Sequence, residues 1–153
     1  LIERADQARF WEETLLYRPH ILHFAGHAQE SGELFVHGTH GHATLPLNAL
    51  LEFFAALRPD LQCMTFNACN SVGLARRIAD TFGCTIGIVG NVSNGSCIGF
   101  SQQFYLALSH GRSIRSAFSF ARSFVLAAHR NDADRFQIFH SPAVDPDAVR
   151  FAG

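Results

Sequence analysis

Charge of either sign is sparse in this chain, with 12 basic and 13 acidic residues leaving a net charge of −1 over 153 residues. Without a positive surplus, the balance argues against nucleic acid or an anionic membrane as the main partner. No apolar run approaches the roughly 20 residues that cross a bilayer. The opening Leu-Ile-Glu-Arg-Ala-Asp sets acids among apolar positions and is unlike a signal peptide. The cysteines, at 63, 69, 84 and 97, form no Cys-x-x-Cys pair and no small-protein staple spacing. Reduced thiols in a cytoplasmic setting are the expectation. No internal repeat or low-complexity tract appears. The chain begins at Leu, and it is expected to be a piece of something longer.

What is present is enough for one core. At 48% apolar residues, a chain of this size buries roughly 68–70% of its unfolded surface, and one domain over 1–153 is expected. Apolar positions at helical spacing predict a helix over 3–17, stopped before Pro19. Short apolar runs predict strands over 20–24, 61–66 and 84–89, with a last one over 136–139. Residues 33–37 and 42–45 flank a glycine-rich turn and predict a β-hairpin. Helices are predicted over 47–57, 71–82, 96–108 and 113–129, and 90–95 is a loop of turn formers. Strands alternating with helices imply an α/β fold with a mostly parallel sheet covered on both faces. Cys63 and Cys84 fall in buried strands as small hydrophobes. Phe100, Phe104, Phe118, Phe120 and Phe124 are expected in the core.

Two strand ends carry the chemistry. His23-Phe-Ala-Gly-His27 follows one apolar run and Asn67-Ala-Cys-Asn70 follows another. Parallel sheets place their sites at the carboxyl ends of strands, and a thiol beside an imidazole is an activated nucleophile. Cys69 is the candidate nucleophile and His27 its base. The helix starting behind Cys69 favours a thiolate there. The amides of Cys69 and Ala28 are the candidate oxyanion donors. Taken singly, either residue would more often be structural; together on two strand ends they favour a site. Their spacing of 42 residues is near the about 50 of caspases, whose Gln-Ala-Cys-x-Gly signature is not met here.

Three ordered stretches resemble the CHAT domains, caspase-like peptidases of clan CD often joined to tetratricopeptide repeats. They are His20-Ile-Leu-His-Phe-Ala-Gly-His27, Thr65-Phe-Asn-Ala-Cys-Asn-Ser71 and Phe100-Ser-Gln-Gln-Phe-Tyr-Leu-Ala-Leu-Ser-His-Gly111, with Ser113-Ile-Arg-Ser-Ala-Phe-Ser-Phe-Ala-Arg122 similar to the family's last helix. The likeness runs over about 18–140. It implies a caspase-like three-layer α/β/α sandwich, here without its first strand–helix–strand unit. It also implies a cysteine endopeptidase acting on protein or peptide substrates without metal or cofactor, with His27 as base and Cys69 as nucleophile. A sensor or repeat domain fused to or associated with it, and a bacterial cytoplasmic setting, are implied as well. The family often carries an acid in the loop after the third strand; the matching position is Asn94, and a neutral amide cannot pair with a basic P1 residue. A catalytically silent scaffold of the same fold is the alternative.

Other candidates are weaker. Asn91, Ser93 and Asn94 leave a strand at its carboxyl end and are tentative substrate-groove residues, against plain turn chemistry. Cys97 is the second choice of reactive thiol. His23 is read as a buried structural residue. Asn67 is a packing candidate for the turn that presents the thiol. His37, His40 and His42 have a spacing that could bind zinc, but no Cys or acid completes the set, and a solvated hairpin tip is preferred. Nothing in the sequence places Glu30 or Asp60 in a pocket.

Overall fold

Short β-branched and apolar runs become strands, and the amphipathic stretches between them become helices. The computed structural model describes residues 7–29, 31, 33–38, 41–57 and 60–151, with 37, 38, 41 and 42 as backbone alone. In chain order the elements are α1 (Gln7–Tyr17), β1 (Ile21–Ala25), β2 (Leu34–Gly38), β3 (Gly41–Leu45), α2 (Leu47–Ala56) and β4 (Cys63–Asn67). There follow α3 (Val72–Thr81), β5 (Cys84–Ile88), α4 (Asn94–Ser109), α5 (Ile114–Ala128), a single 3₁₀ turn (Ala133–Arg135) and β6 (Phe136–His140).

Four strands form one sheet in the order β1-β4-β5-β6. β1, β4 and β5 run parallel, while β6 returns antiparallel beside β5. Parallel neighbours need a long crossover. Between β1 and β4 that crossover is the antiparallel β2–β3 hairpin followed by α2.

Side-chain alternation divides the sheet between two apolar clusters. Met64 and Phe66 of β4 join Phe10 of α1, Leu50 and Phe54 of α2, and Leu74 and Ile78 of α3. Cys63, Ile86 and Ile88 point the other way, into Phe100 and Phe104 of α4 and Ala117, Ala121 and Val125 of α5. The fold is therefore α/β, with a mostly parallel sheet and helices packed on both faces. Serine hydroxyls start the last two helices: Ser93 and Ser113 accept the backbone N–H of Ser96 and Ser116. None of the helices among the described residues is long and apolar enough to cross a membrane.

Two expectations need correction, and one lies partly outside the described residues. Phe100, Phe104 and Phe118 are buried, but Phe120 and Phe124 are 50% and 42% exposed. They lie off the α5 stripe of Ile114, Ala117, Phe118, Ala121 and Val125 that faces the core. Helix α4 begins at Asn94 rather than Ser96, because Ser93 caps it. Residues 3–6 of the first predicted helix lie outside the described residues.

Candidate active site

β1 and β4 lie side by side, with Ala25 opposite Asn67 at their carboxyl ends. His27 follows Ala25 by two residues and Cys69 follows Asn67 by two. The paired register ends there, and both side chains stand on the loops that leave the carboxyl ends of these neighbouring parallel strands. Gly26 N–H donates to the Asn67 carbonyl at 3.4 Å, a last link between the two exits. His27 is exposed and Cys69 is half-buried with a free thiol. Among the described residues no hydrogen bond joins the two side chains.

The turn that carries Cys69 is fastened from below. Ser71 is fully buried; its hydroxyl donates to the Phe66 carbonyl at 3.2 Å and accepts Ile88 N–H at 3.0 Å. One side chain thus ties the end of β4 to the end of β5. Asn70 takes a left-handed φ of 60°, a conformation asparagine tolerates better than most residues. Its N–H donates to Gly90 O at 2.9 Å. Gly90 is itself left-handed, with φ +61°, and a Cβ there would come within 2.7 Å of an Arg135 guanidinium nitrogen.

Backbone donors are available at both exits. Ala28 forms an isolated bridge with Leu34, built from Gln29 N–H to Glu33 O at 3.0 Å and Phe35 N–H to His27 O at 3.1 Å. That pattern uses the groups on either side of Ala28 and leaves its own N–H uncommitted among the described residues. The Cys69 N–H is likewise uncommitted among them. Helix α3 begins three residues after Cys69, at Val72, so the positive end of its dipole lies beside the thiol turn.

The loop after β5 supplies the groove candidates. Asn91, Ser93 and Asn94 are all exposed, and Asn94 is the first residue of α4. An acid that no local pattern indicated anchors this corner. Asp132, between α5 and β6, accepts Ser96 Oγ–H at 2.6 Å and Ser93 N–H at 3.1 Å. These bonds, led by that from Ser96, hold the Asp132 carboxyl below its usual 3.8. A carboxyl depressed in the folded state adds stability that is complete above its unfolded value and lost as pH falls through the folded one. The stability gap between wild type and Asp132→Asn should therefore be constant above about pH 5 and close as pH falls below the ordinary carboxyl range, read by urea denaturation across pH.

The remaining candidates separate from the dyad. Cys97 lies in the first turn of α4, half-buried. Burial, with Cys69 and Asp132 nearby, pushes its thiol up to about 11, which disfavours the reactive thiolate there. Cys63 and Cys84 face each other across β4 and β5, fully buried. The bond to Cys84, together with burial, raises the Cys63 thiol. His23 is half-buried under α4, where Nδ1 shares hydrogen bonds with Thr65 Oγ1 at 2.8 Å and Tyr105 Oη at 2.9 Å. Burial lowers His23 and pushes Tyr105 up to about 12. This triad bonds to neither dyad residue; it ties two strands to a helix. Asp60 precedes β4 and pairs with Arg18 at 2.7 Å, at the opposite end of the sheet from Cys69. Glu30, His40 and the side chains of His37 and His42 lie outside the described residues. Among the described residues no three His, Cys, Asp or Glu side chains gather as a metal site. No protein-family model matches the chain, and no curated protein matches it significantly.

Proposed function

We propose that the chain is a cysteine endopeptidase of the caspase-like, CHAT type, with Cys69 as nucleophile and His27 as base. What supports the reading is the parallel β1–β4 pairing, since the loops bearing His27 and Cys69 leave its neighbouring carboxyl ends. The Cys69 sulfur attacks the scissile carbonyl while its proton resides on His27. The carbonyl oxygen becomes an oxyanion facing the Ala28 and Cys69 N–H groups. Collapse breaks the C–N bond, His27 gives its proton to the departing amine, and an acyl thioester remains on Cys69. A water then gives a proton to His27, attacks the thioester and releases the acid and the thiol. No cofactor enters these steps. The groove wall is Asn91, Ser93 and Asn94, and the substrate is a protein or peptide. We further propose that the domain serves as the regulated effector of a larger bacterial cytoplasmic protein, its cleft ordered by an associated sensor or repeat domain.

One observation favours a second reading, a catalytically silent scaffold of the same fold. His27 is exposed and makes no hydrogen bond to Cys69 among the described residues. Alkylation of Cys69 by iodoacetamide, followed across pH by mass spectrometry of its peptide, decides between them. The peptidase reading expects a rate at neutral pH about tenfold above that of an ordinary thiol, lost in His27→Ala. A rate equal to that of a free thiol and indifferent to His27→Ala supports the scaffold.

A further inference from the structure

Because β6 runs against its neighbour, its first residue, Phe136, pairs with the last residue of β5, Ile88. The turn that feeds β6 therefore lies at the carboxyl end of the sheet, where the loops bearing His27 and Cys69 also leave. That turn carries Asp132, Asp134 and Arg135. Both acids are committed. Asp134 pairs with Arg122 of α5, and Asp132 Oδ2 holds Ser96 Oγ–H and Ser93 N–H.

Arg135 is placed differently. Its backbone is fixed on both sides, the N–H donating to the Asp132 carbonyl at 3.0 Å and the carbonyl accepting Val89 N–H at 2.8 Å. Its exposed guanidinium lies over Gly90, where a Cβ would come within 2.7 Å of Nη1. The Gly90 carbonyl in turn accepts Asn70 N–H at 2.9 Å, and Asn70 follows Cys69. One glycine thus stands between the guanidinium and the thiol turn. Nη1 makes a single long hydrogen bond, to the Val89 carbonyl at 3.4 Å. Among the described residues no ion pair engages the group. Asp132 is near enough for Arg135 to help lower its carboxyl, yet the two stay outside ion-pair distance. A guanidinium is a planar fork of N–H donors that fits a carboxylate, and here most of the fork has no acceptor. The neighbouring Asn91, Ser93 and Asn94 are exposed and uncharged.

We propose that Arg135 is a specificity-determining residue of the site, taking the carboxylate of an Asp or Glu side chain that flanks the scissile bond. The inference rests on Cys69 being the nucleophile and deepens the peptidase reading by naming its substrates as acidic peptides. Two N–H groups of the fork donate to the two carboxylate oxygens. Asp132 does not compete for the fork, because its Oδ2 is spent on the two serines.

The test compares alkylation of Cys69 by neutral iodoacetamide and by anionic iodoacetate in wild type, Arg135→Gln and Arg135→Lys, with thermal unfolding of each. The ratio of the two rates is read, so that any change in thiol reactivity common to both reagents cancels. Exposed charge pairs are worth a few-fold, and Arg135→Gln is expected to lower the iodoacetate-to-iodoacetamide ratio about threefold. Arg135→Lys keeps the charge and should keep most of the ratio. Tripeptide chloromethyl ketones with a single Glu or Gln at each position in turn then read the fork itself. Wild-type Cys69 is expected to prefer Glu over Gln about tenfold at one position. That preference should vanish in Arg135→Gln and shrink in Arg135→Lys, which carries the test if Arg135→Gln does not fold. An activated thiol with no Glu preference at any position, or with a ratio that ignores Arg135→Gln, overturns the subsite and leaves the peptidase reading standing. A Glu preference that persists in Arg135→Gln assigns recognition to another cation and overturns it equally. If wild-type Cys69 reacts with iodoacetamide as an ordinary thiol, indifferent to His27→Ala, the nucleophile assignment fails and the subsite falls with it.

Discussion

His27→Ala is expected to lower kcat for peptide-bond cleavage by about 10²–10⁴-fold, with KM little changed. The size follows from what an imidazole would do in the reaction. An amine leaves poorly unless it is protonated as the C–N bond breaks, and His27 is the basic side chain on the loop that leaves the strand beside the one before Cys69. Proton transfer acts in the transition state rather than on substrate binding, so the loss is expected in kcat. An activated ester sharpens the test, because its leaving group departs without a proton. For such a substrate the His27→Ala deficit should shrink, and the Ala28 and Cys69 amides should still support measurable acylation. An equal loss on amide and ester would place the role of His27 in the steps both substrates share, thiol deprotonation and attack of water on the thioester, rather than in protonating the leaving amine. A wild-type protein that cleaves neither substrate, in a form shown to be folded, would leave the scaffold reading standing.

The parts of the fold that could be read from the chain are those written in local pattern. Met64 and Phe66 alternate with Cys63 and Thr65, and the structure sends the two pairs to opposite faces of the sheet. The strand ends were legible for the same reason, since each apolar run stops two residues short of His27 or of Cys69. Phe120 and Phe124 show the limit of composition as a guide. Five phenylalanines over two helices suggest a uniform aromatic core, yet α5 buries the stripe through Ile114, Phe118, Ala121 and Val125 and turns Phe120 and Phe124 outward. Counting the period strictly would have separated them. Contacts made across the sequence left no such trace. Asp132 meets Ser96 from 36 residues away, and Tyr105 meets His23 from 82. Nor does any local signal state that Asn67 reaches α4; its spacing marks it only as a neighbour of Cys69. The direction of β6 was similarly hidden, because a brief 3₁₀ turn between α5 and β6 sets it.

Gly87→Val is expected to destabilise the fold by about 3 kcal/mol, at the upper end for overpacking a closed interface, and to slow Cys69 alkylation with it. Gly87 sits in the middle of β5 on the side facing α3. A Cβ there would come within 2.7 Å of the Ala75 Cβ, 3.1 Å of the Ser71 carbonyl and 3.1 Å of the Val72 Cα. Two of those three neighbours are backbone, so no flexible side chain can swing aside. The start of α3 itself must move, and that start holds the machinery of the turn. Ser71 Oγ bridges Phe66 O and Ile88 N–H there, and Thr85 Oγ1 donates to the Ala75 carbonyl at 2.7 Å. Lifting α3 stretches these bonds together and carries the Cys69 turn away from His27. For a domain of this size the loss corresponds to a fall of about 6–12 °C in Tm. Gly87→Ala should show a smaller loss of the same kind, since it adds the clashing Cβ without the two further methyl groups. Urea denaturation and Cys69 alkylation measured on both variants check the coupling. If stability falls stepwise while the thiol keeps its wild-type profile, the β5–α3 contact supports the core alone, and the position of the nucleophile is fixed by the strand exits without help from the helix behind it.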